Sequence, residues 1–334
     1  MKNITVLGWY GHGNVGDESY KASFPLLLPE YNLTFTDSIG DDHRVSDAFI
    51  LGGGAVVEKP FLKQLNGIDN KFIISVTANK SSPIEMLKNF KQIIVRDIKS
   101  QSELQTLGIK STLMPDAAFL LKADRNEGHQ FVRDLFKQER HDLYNKVIVI
   151  VYNAHLGVIS EDRCLARDHI NFLKTANDLA DIIDSTPASF IFIPFGQRDP
   201  WDDRITNSWL ASRCKFWKKN VVIYDRITFQ QTLNIIASSD AVVSSRLHAT
   251  IFGCVANVPF VDITHHDKNL GFLQTVGLED WSVPYWRFDH TKCTTLLNEF
   301  LTNPIPHKDR LQTIVDKQRT NIKEVINNVH LISQ

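Results

Sequence analysis

The hydrophobic positions of the chain form short apolar runs that alternate with longer amphipathic stretches. Each run has the length of a strand and is bounded by polar or glycine residues, which is typical of a buried strand in a parallel sheet. The predicted strands cover residues 4–8, 31–36, 47–51, 72–76, 92–95, 111–114, 147–152, 190–194, 221–224, 241–243 and 259–263. Apolar residues at helical spacing predict a helix that opens near residue 19 and others over residues 102–107, 169–183, 229–237, 291–301 and 308–328.

This alternation predicts two doubly wound α/β halves, each built on a mostly parallel sheet. The run 259–263 is expected to close the second sheet, and the aromatic stretch 283–288 is expected to be a loop or an edge. We expect Rossmann-like domains over 1–122 and 146–305, a helix and linker over 123–145, and a C-terminal helix over 306–334. Two such halves facing each other across a cleft have the architecture of GT-B glycosyltransferases, whose strand-end loops line the cleft.

The stretch 241–253 combines a predicted strand, a predicted helix and two residues suited to binding an anion. Ser244 or Ser245 is expected to cap the helix, which would place Arg246 and His248 in its first turn. Unpaired backbone N–H groups and the helix dipole favour an anion there, and a guanidinium beside an imidazole suits phosphate or carboxylate. The alternative is that Arg246 pairs with a neighbouring group and His248 is a core histidine.

A second glycine-rich segment follows the first predicted strand. Gly11, Gly13 and Gly16 fit the spacing of a dinucleotide-binding turn, and Asn14 or Asp17 can cap the helix behind it. The candidate site residues of this segment are Gly13, Asn14, Asp17 and Glu18. Two carboxylates directly after the last glycine would repel a pyrophosphate, so the pattern argues against a bound dinucleotide.

Further polar or glycine residues stand where predicted strands end, which is where doubly wound sheets bind ligands. In the first half these are Gly53, Gly54, Arg96 and Asp116, and in the second half Asn153 and Gln197. Arg96 is either a second anion ligand or one partner of a buried pair with Asp97 or Asp116.

Composition limits the classes of function. The net charge is −1 over 334 residues, so no global field attracts nucleic acid or a membrane. The four cysteines lack a CxxC pair, and the adjacent His265 and His266 are poorly spaced to share one ion, so we expect no metal. No apolar segment is long enough to cross a bilayer and no signal peptide is visible, which predicts a cytoplasmic protein. The stretch 215–219 interleaves lysines with aromatics, which indicates either a solvated helix end or a nucleic-acid contact.

Several motifs occur together in the order found in the polysaccharide pyruvyl transferase family, which the chain resembles over residues 1 to about 275. They are GHGNVGDE at 11–18, LGGG at 51–54, RD at 96–97 with Ser100, PDAAF at 115–119, SRLHA at 245–249 and DK at 267–268. The resemblance implies a GT-B-like fold and transfer of pyruvyl from phosphoenolpyruvate onto two hydroxyls of a glycan, as a ketal. The loop 196–203 departs from the family's pattern, which has a histidine-containing loop there.

The resemblance also implies roles for residues of both halves. Arg246 and His248 contact the donor with Lys268 nearby, His248 being the candidate acid, and no cofactor besides the donor substrate is implied. The expected donor-binding set is Ser245, Arg246, His248, Lys268, Asn153 and Gln197. The expected acceptor side is Gly13, Asn14, Asp17, Glu18, Gly53, Gly54, Arg96 and Asp116, with Asp17, Glu18 or Asp116 as the base.

Two other functions fit the same residues. A glycosyltransferase would place a nucleotide-sugar diphosphate on Arg246 and Lys268 and act on a glycan or on a hydroxylated base in DNA. A non-catalytic binding protein could also retain the fold, although the retained Arg246 and His248 argue against it. The sequence does not indicate an oligomeric state.

Overall fold

The computed structural model describes residues 1–40, 43, 45–153, 165–198 and 201–329, with backbone only over 165–170. These residues form two compact units. The first unit contains Met1–Leu121, Gly271–Gly277 and Val315–Gln334, and the second contains Lys122–Leu270 and Leu278–Ile314. The stretch 123–145 therefore belongs to the second unit, and the C-terminal helix contributes residues to both.

The first unit is a doubly wound parallel sheet. Its strands are β1 (Lys2–Leu7), β2 (Tyr31–Thr36), β3 (Ala48–Gly54), β4 (Lys71–Val76), β5 (Gln92–Val95) and β6 (Thr112–Leu113). Its helices before residue 121 are α1 (Val15–Leu27), α2 (Lys59–Gln64), α3 (Ile84–Leu87) and α4 (Ile98–Thr106). The strand order is β2-β1-β3-β4-β5-β6, and β3 and β4 are buried along their whole length. The order reverses between β1 and β3, which makes their carboxyl ends a topological switch point.

The second unit repeats this architecture with a different strand order. Its strands are β7 (Val147–Val151), β8 (Ser189–Phe192), β9 (Asn220–Val222), β10 (Ala241–Ser244), β11 (Phe260–Thr264) and β12 (Ser282–Pro284). Its helices are α5 (Arg125–Glu139), α6 (Leu165–Ser185), α7 (Asp203–Ala211), α8 (Phe229–Ala237), α9 (Leu247–Val255) and α11 (His290–Thr302). Two helices contribute to both units, α10 (Asp267–Val276) and α12 (Pro304–Ile326). The parallel order β12-β11-β10-β7-β8-β9 places the switch point between β7 and β10.

Three local features differ from the sequence predictions. The first helix opens at Val15, behind Asn14, and not near Ser19. The run 259–263 does not close the second sheet, because β12 pairs outside β11. The helix α10 was not predicted, since Asn269 and Gly271 weaken its helical pattern. Within the described residues, no helix has the length and hydrophobicity needed to span a membrane.

Candidate functional site

The carboxyl ends of β7 and β10 are joined by Ser245. Its hydroxyl accepts a hydrogen bond from the backbone N–H of Asn153 at 2.8 Å and donates one to the carbonyl of Val151 at 3.3 Å. The structure therefore brings two predicted donor-binding residues together at the switch point. Because the hydroxyl of Ser245 joins two strand ends, it is not the helix cap that the sequence indicated.

Arg246 is the N-cap residue of α9 and lies just before the first turn, where the sequence had placed it inside that turn. Its backbone N–H donates to the hydroxyl of Ser244 at 2.9 Å, and that hydroxyl donates back to its carbonyl at 3.0 Å. Ser244 thus fixes the backbone of Arg246 without capping α9. The backbone conformation of this single residue is extended, as an N-cap requires.

The guanidinium of Arg246 forms a two-point ion pair with Asp203, the first residue of α7. Nη2 donates to Oδ1 at 2.6 Å and Nε donates to Oδ2 at 3.0 Å. Since β7 lies between β8 and β10, this pair crosses the end of β7, linking the segment after β8 to the residue after β10. Among the residues that the structure describes, Nη1 of Arg246 has no hydrogen-bond partner, and its side chain is 12% exposed. Nη1 of this fixed guanidinium is therefore available to bind an anion.

Asp203 is fully buried and is held by backbone as well as by Arg246. Its Oδ2 accepts from the N–H groups of Phe195 at 3.1 Å and Gly196 at 2.8 Å. Gly196 also leaves room for the ion pair, because a Cβ at this position would lie 2.8 Å from Nη2 of Arg246 and 2.1 Å from the carbonyl of Trp201. The sequence showed an acidic loop here, but nothing in it indicated which carboxylate pairs with Arg246.

His265 adds a second, unpredicted residue to this region. Its Nε2 lies 3.4 Å from the side-chain nitrogen of Asn153. Burial lowers the pKa of His265 well below its usual value, and the positive charges of Lys268, His266 and Arg246 lower it further. The imidazole is therefore neutral at pH 7, and the cations that lower its pKa include the predicted donor-binding residues Arg246 and Lys268. Within the described residues, no three metal-ligating side chains cluster together.

The start of α10, which carries Lys268, is tied to the sheet by Asp262 of β11. The fully buried carboxylate accepts hydrogen bonds from Thr264 at 2.6 Å and from Asn269 at 2.9 Å. Burial raises the pKa of Asp262 to about 6, although these two hydrogen bonds act in the opposite direction. Asp262 thus positions the turn that bears His265 and Lys268.

The remaining two residues of the predicted donor set differ in their surroundings. His248 is the second residue of α9, is 9% exposed, and lies edge-on to Phe252 with the ring centres 6.4 Å apart. Gln197 is buried, and its amide group donates to the carbonyl of Ile227 at 2.9 Å and accepts from the N–H of the same residue at 3.0 Å. Gln197 therefore ties its loop to Ile227, so its amide is not presented to a donor.

In the first unit, the predicted acceptor-side glycines meet the residues of α1. Asn14 caps the helix by accepting from the N–H of Gly16, and Glu18 accepts from the N–H of Gly11 at 2.5 Å. Gly13, Gly53 and Gly54 all have positive φ. A Cβ on Gly54 would lie 2.6 Å from the carboxylate of Asp17, and one on Gly53 would overlap the ring of Tyr20. The turn at Gly53 and Gly54 therefore packs closely against α1, and the carboxylate of Asp17 lies over Gly54.

Arg96 and Asp116 form a buried pair, which was one of the two possibilities left open by the sequence. Nη1 of Arg96 donates to Oδ2 of Asp116 at 2.8 Å and to the hydroxyl of Tyr20 at 2.6 Å, and that hydroxyl donates to the same carboxylate at 2.7 Å. Burial opposes the charge, yet Tyr20, Asp116 and Asp97 raise the pKa of Arg96. Both side chains are nearly inaccessible, so neither is presented to an acceptor.

Comparisons with known proteins agree with this architecture. The structure is similar to S. aureus MnaA in a co-structure with UDP, with a TM-score of 0.61, 8% identity, and 98% of each chain covered. It is also similar to UDP-GlcNAc 2-epimerase from Neisseria meningitidis bound to UDP-GlcNAc, with a TM-score of 0.58, 10% identity, and 98% and 100% coverage. A third match is a trehalose-phosphate synthase from Burkholderia vietnamiensis, with a TM-score of 0.53, 11% identity, and 87% and 74% coverage.

At these identities the structural matches show the fold alone, which is α/β and GT-B-like. No curated protein sequence matches the chain. The family model for polysaccharide pyruvyl transferase matches residues 8–267, which include the glycine turn after β1 and the residues of the second-unit site from Asn153 to His265, but not Lys268. The chain is a transferase with a GT-B-like fold, and it belongs to the polysaccharide pyruvyl transferase family.

Proposed function

We propose that the protein transfers pyruvyl from phosphoenolpyruvate onto two hydroxyls of a glycan, forming a ketal, and that the donor binds at the carboxyl ends of β7 and β10. The observation that carries this proposal is the guanidinium of Arg246, which is held on one side by Asp203 and has Nη1 unpaired among the described residues. Phosphoenolpyruvate has two anionic groups, and a guanidinium with a nearby ammonium suits both. We expect the reaction in the cytoplasm, where this donor is made.

The proposed chemistry assigns a task to each group. Protonation of the donor's methylene carbon, by His248, allows the first sugar hydroxyl to bond to the neighbouring carbon while its proton passes to a base. Phosphate then leaves with the electron pair of the C–O bond, and the second hydroxyl adds to complete the ketal and releases its proton. Arg246 and Lys268 stabilise the departing phosphate. We assign the role of base to Asp17, whose carboxylate lies beside Gly54 at the carboxyl end of β3.

A nucleotide-sugar donor is the second candidate. It is favoured by the similar structures that contain UDP-GlcNAc or UDP, and the same cations would then contact a diphosphate. The two donors separate cleanly in a thermal-shift experiment, because a ligand that binds only the native state raises Tm with its concentration. Phosphoenolpyruvate is expected to raise Tm at concentrations at which UDP-GlcNAc does not, and the reverse result would favour glycosyl transfer.

Turnover supplies the second test. Phosphate should be released from phosphoenolpyruvate only when a glycan acceptor is present, and a pyruvyl ketal should appear on that glycan by mass spectrometry. His248→Gln keeps a polar side chain of similar size, so it should abolish product formation while retaining the Tm increase caused by the donor. Equal turnover by this variant would remove His248 from the mechanism.

A further inference from the structure

A surface at the amino edge of the second sheet, opposite the proposed donor site, exposes large apolar side chains. We call it the aromatic–basic patch; its apolar members are Leu143, Tyr144, Phe216 and Trp217, which are 42%, 45%, 61% and 58% exposed. They come from two segments, the loop between α5 and β7 and the turn before β9. Four of the exposed large apolar side chains thus gather on one face, and contiguous apolar exposure of this kind marks an interaction site.

The two segments form one fixed surface. The N–H of Asp142 donates to the carbonyl of Lys218 at 2.7 Å, and the ring of His141 lies edge-on to Trp217 with the centres 5.2 Å apart. The hydroxyl of Ser189 accepts from the N–H of Tyr144 at 2.7 Å. The exposure of the apolar residues is therefore imposed by backbone contacts on either side of them.

The turn before β9 is anchored by Lys219, whose side chain is buried and is not part of the exposed surface. Nζ of Lys219 is buried and donates to the carbonyls of Ile183 at 2.6 Å and Thr186 at 2.8 Å. The carboxylate of Asp184 accepts from the N–H groups of Lys215 and Phe216. These bonds hold Phe216 and Trp217 outward.

Cations outnumber carboxylates around these aromatics, with Asp184, which accepts from the N–H groups of Lys215 and Phe216, offsetting one of them. Residues 209–219 contain four cationic side chains and no acidic one, and three of the cations are exposed: Arg213, Lys215 and Lys218. In the neighbouring loop Lys137 and Arg140 are balanced by Glu139 and Asp142. A second copy of this face would bring like charges together, which argues against self-association through it.

We propose that the aromatic–basic patch docks the protein on the surface of an anionic lipid bilayer. Exposed Trp, Tyr, Phe and Leu side chains enter the boundary between headgroups and acyl chains, while lysines and arginines beside them contact anionic headgroups. The combination of aliphatic and aromatic side chains with a rim of cations fits this environment. The docking does not depend on which donor the enzyme uses.

The first experiment is co-sedimentation of the full chain with lipid vesicles. Vesicles with about one third phosphatidylglycerol in phosphatidylcholine should bind the protein at least tenfold more tightly than pure phosphatidylcholine, and added salt should weaken the binding. Lys215→Gln with Lys218→Gln should lower the affinity for anionic vesicles roughly twentyfold to thirtyfold, at about fivefold per cation, and leave the thermal melt unchanged.

The apolar contribution has a matched control in the same unit. Phe216→Ser with Trp217→Ser should reduce vesicle binding at least tenfold. Ile205→Ser with Tyr224→Ser removes two side chains that are equally exposed, at 65% and 63%, but lie toward the carboxyl edge of the sheet, and should leave binding intact. Equal losses from both pairs would overturn the proposal.

Three other results would also overturn it. One is equal binding to neutral and anionic vesicles. Another is binding of single-stranded DNA, lost in the same variants, without vesicle binding. The third is a dimer in light scattering that Phe216→Ser with Trp217→Ser dissociates.

Discussion

Replacing Asp203 with asparagine tests whether the ion pair across the end of β7 is what presents Arg246. Asparagine can keep an oxygen at the position of Oδ2, which accepts from Phe195, Gly196 and Nε of Arg246, but its NH₂ then faces Nη2 at the former 2.6 Å contact. The substitution therefore keeps the backbone bonds and turns one charge-assisted bond into a donor facing a donor.

The magnitude follows from burial. Removing one partner of a buried pair costs about 3–5 kcal/mol, and the lower end applies here because Arg246 is partly accessible and can turn toward water. A loss of about 3 kcal/mol corresponds to roughly 6–12 °C in Tm for a unit of this size. A guanidinium that is no longer fixed should also lower kcat/KM about tenfold to hundredfold, since misplacement by about 1 Å has effects of that order.

The neighbouring residue is a matched control. Asp202 caps α7 and pairs with Arg204, whose side chain is 24% exposed. Asparagine caps a helix as well as aspartate does, so Asp202→Asn removes only this more accessible pair and should cost less than about 1 kcal/mol. Thermal melts with and without phosphoenolpyruvate, together with phosphate release, measure both effects. If Asp203→Asn melts and binds like Asp202→Asn, the ion pair does not position Arg246.

Three further predictions concern the residues around the site and the buried network of the first unit. Because the pKa of Asp262 is raised to about 6 in the fold, the native state holds its proton more tightly than the unfolded chain, so stability falls as pH rises from about 4 to about 6 and then levels off; melts across pH should show a loss of roughly 3 kcal/mol that Asp262→Asn removes. Gly196→Ala should destabilise the second unit and abolish the Tm increase from phosphoenolpyruvate, because its Cβ meets the carbonyl of Trp201 at 2.1 Å; Gly67→Ala, with no atom within 4 Å and only a positive φ to accommodate, should cost about 1 kcal/mol in the same melt. Asp116→Asn should cost about 3–5 kcal/mol by leaving Arg96 buried without its carboxylate, and the KM of the folded enzyme for glycan should not change; a raised KM with an unchanged melt would return Asp116 to the acceptor side.

The architecture was predictable because its signal is local. Apolar runs of four to six residues mark strands wherever both faces of a sheet are covered, and α8 was predicted with its exact limits at Phe229 and Ala237. The helix α10 was missed because Gly271 opposes helix formation and is needed for contact: a Cβ there would lie 2.7 Å from the carboxylate of Asp97. Packing against that carboxylate is a tertiary requirement that periodicity does not contain.

The hydrogen-bond and ion-pair partners of the site residues were harder to predict from the sequence. Arg246 was singled out correctly as a cation at a strand end, but Asp203 lies 43 positions away, and only the strand order β10-β7-β8 brings the two together. Ser245 was expected to cap a helix on propensity, whereas its hydroxyl is bonded to Val151, the last residue of β7, and to Asn153 just after that strand. A serine hydroxyl at a helix start has several possible hydrogen-bond partners, and the arrangement of strands in the sheet determines which of them it contacts.

The ion pairing of the strand-end arginines differs between the two units, and the difference bears on where an anionic donor binds. In the first unit Arg96, which follows β5, is paired with the buried carboxylate of Asp116. In the second unit Arg246 and Lys268 both lower the pKa of His265, while Asp203 occupies only one side of Arg246. The buried carboxylate of Asp262 is bonded to the neutral side chains of Thr264 and Asn269. We expect an anionic donor to bind beside Nη1 of Arg246 at the end of β10, because Asp203 contacts only Nε and Nη2 of this guanidinium.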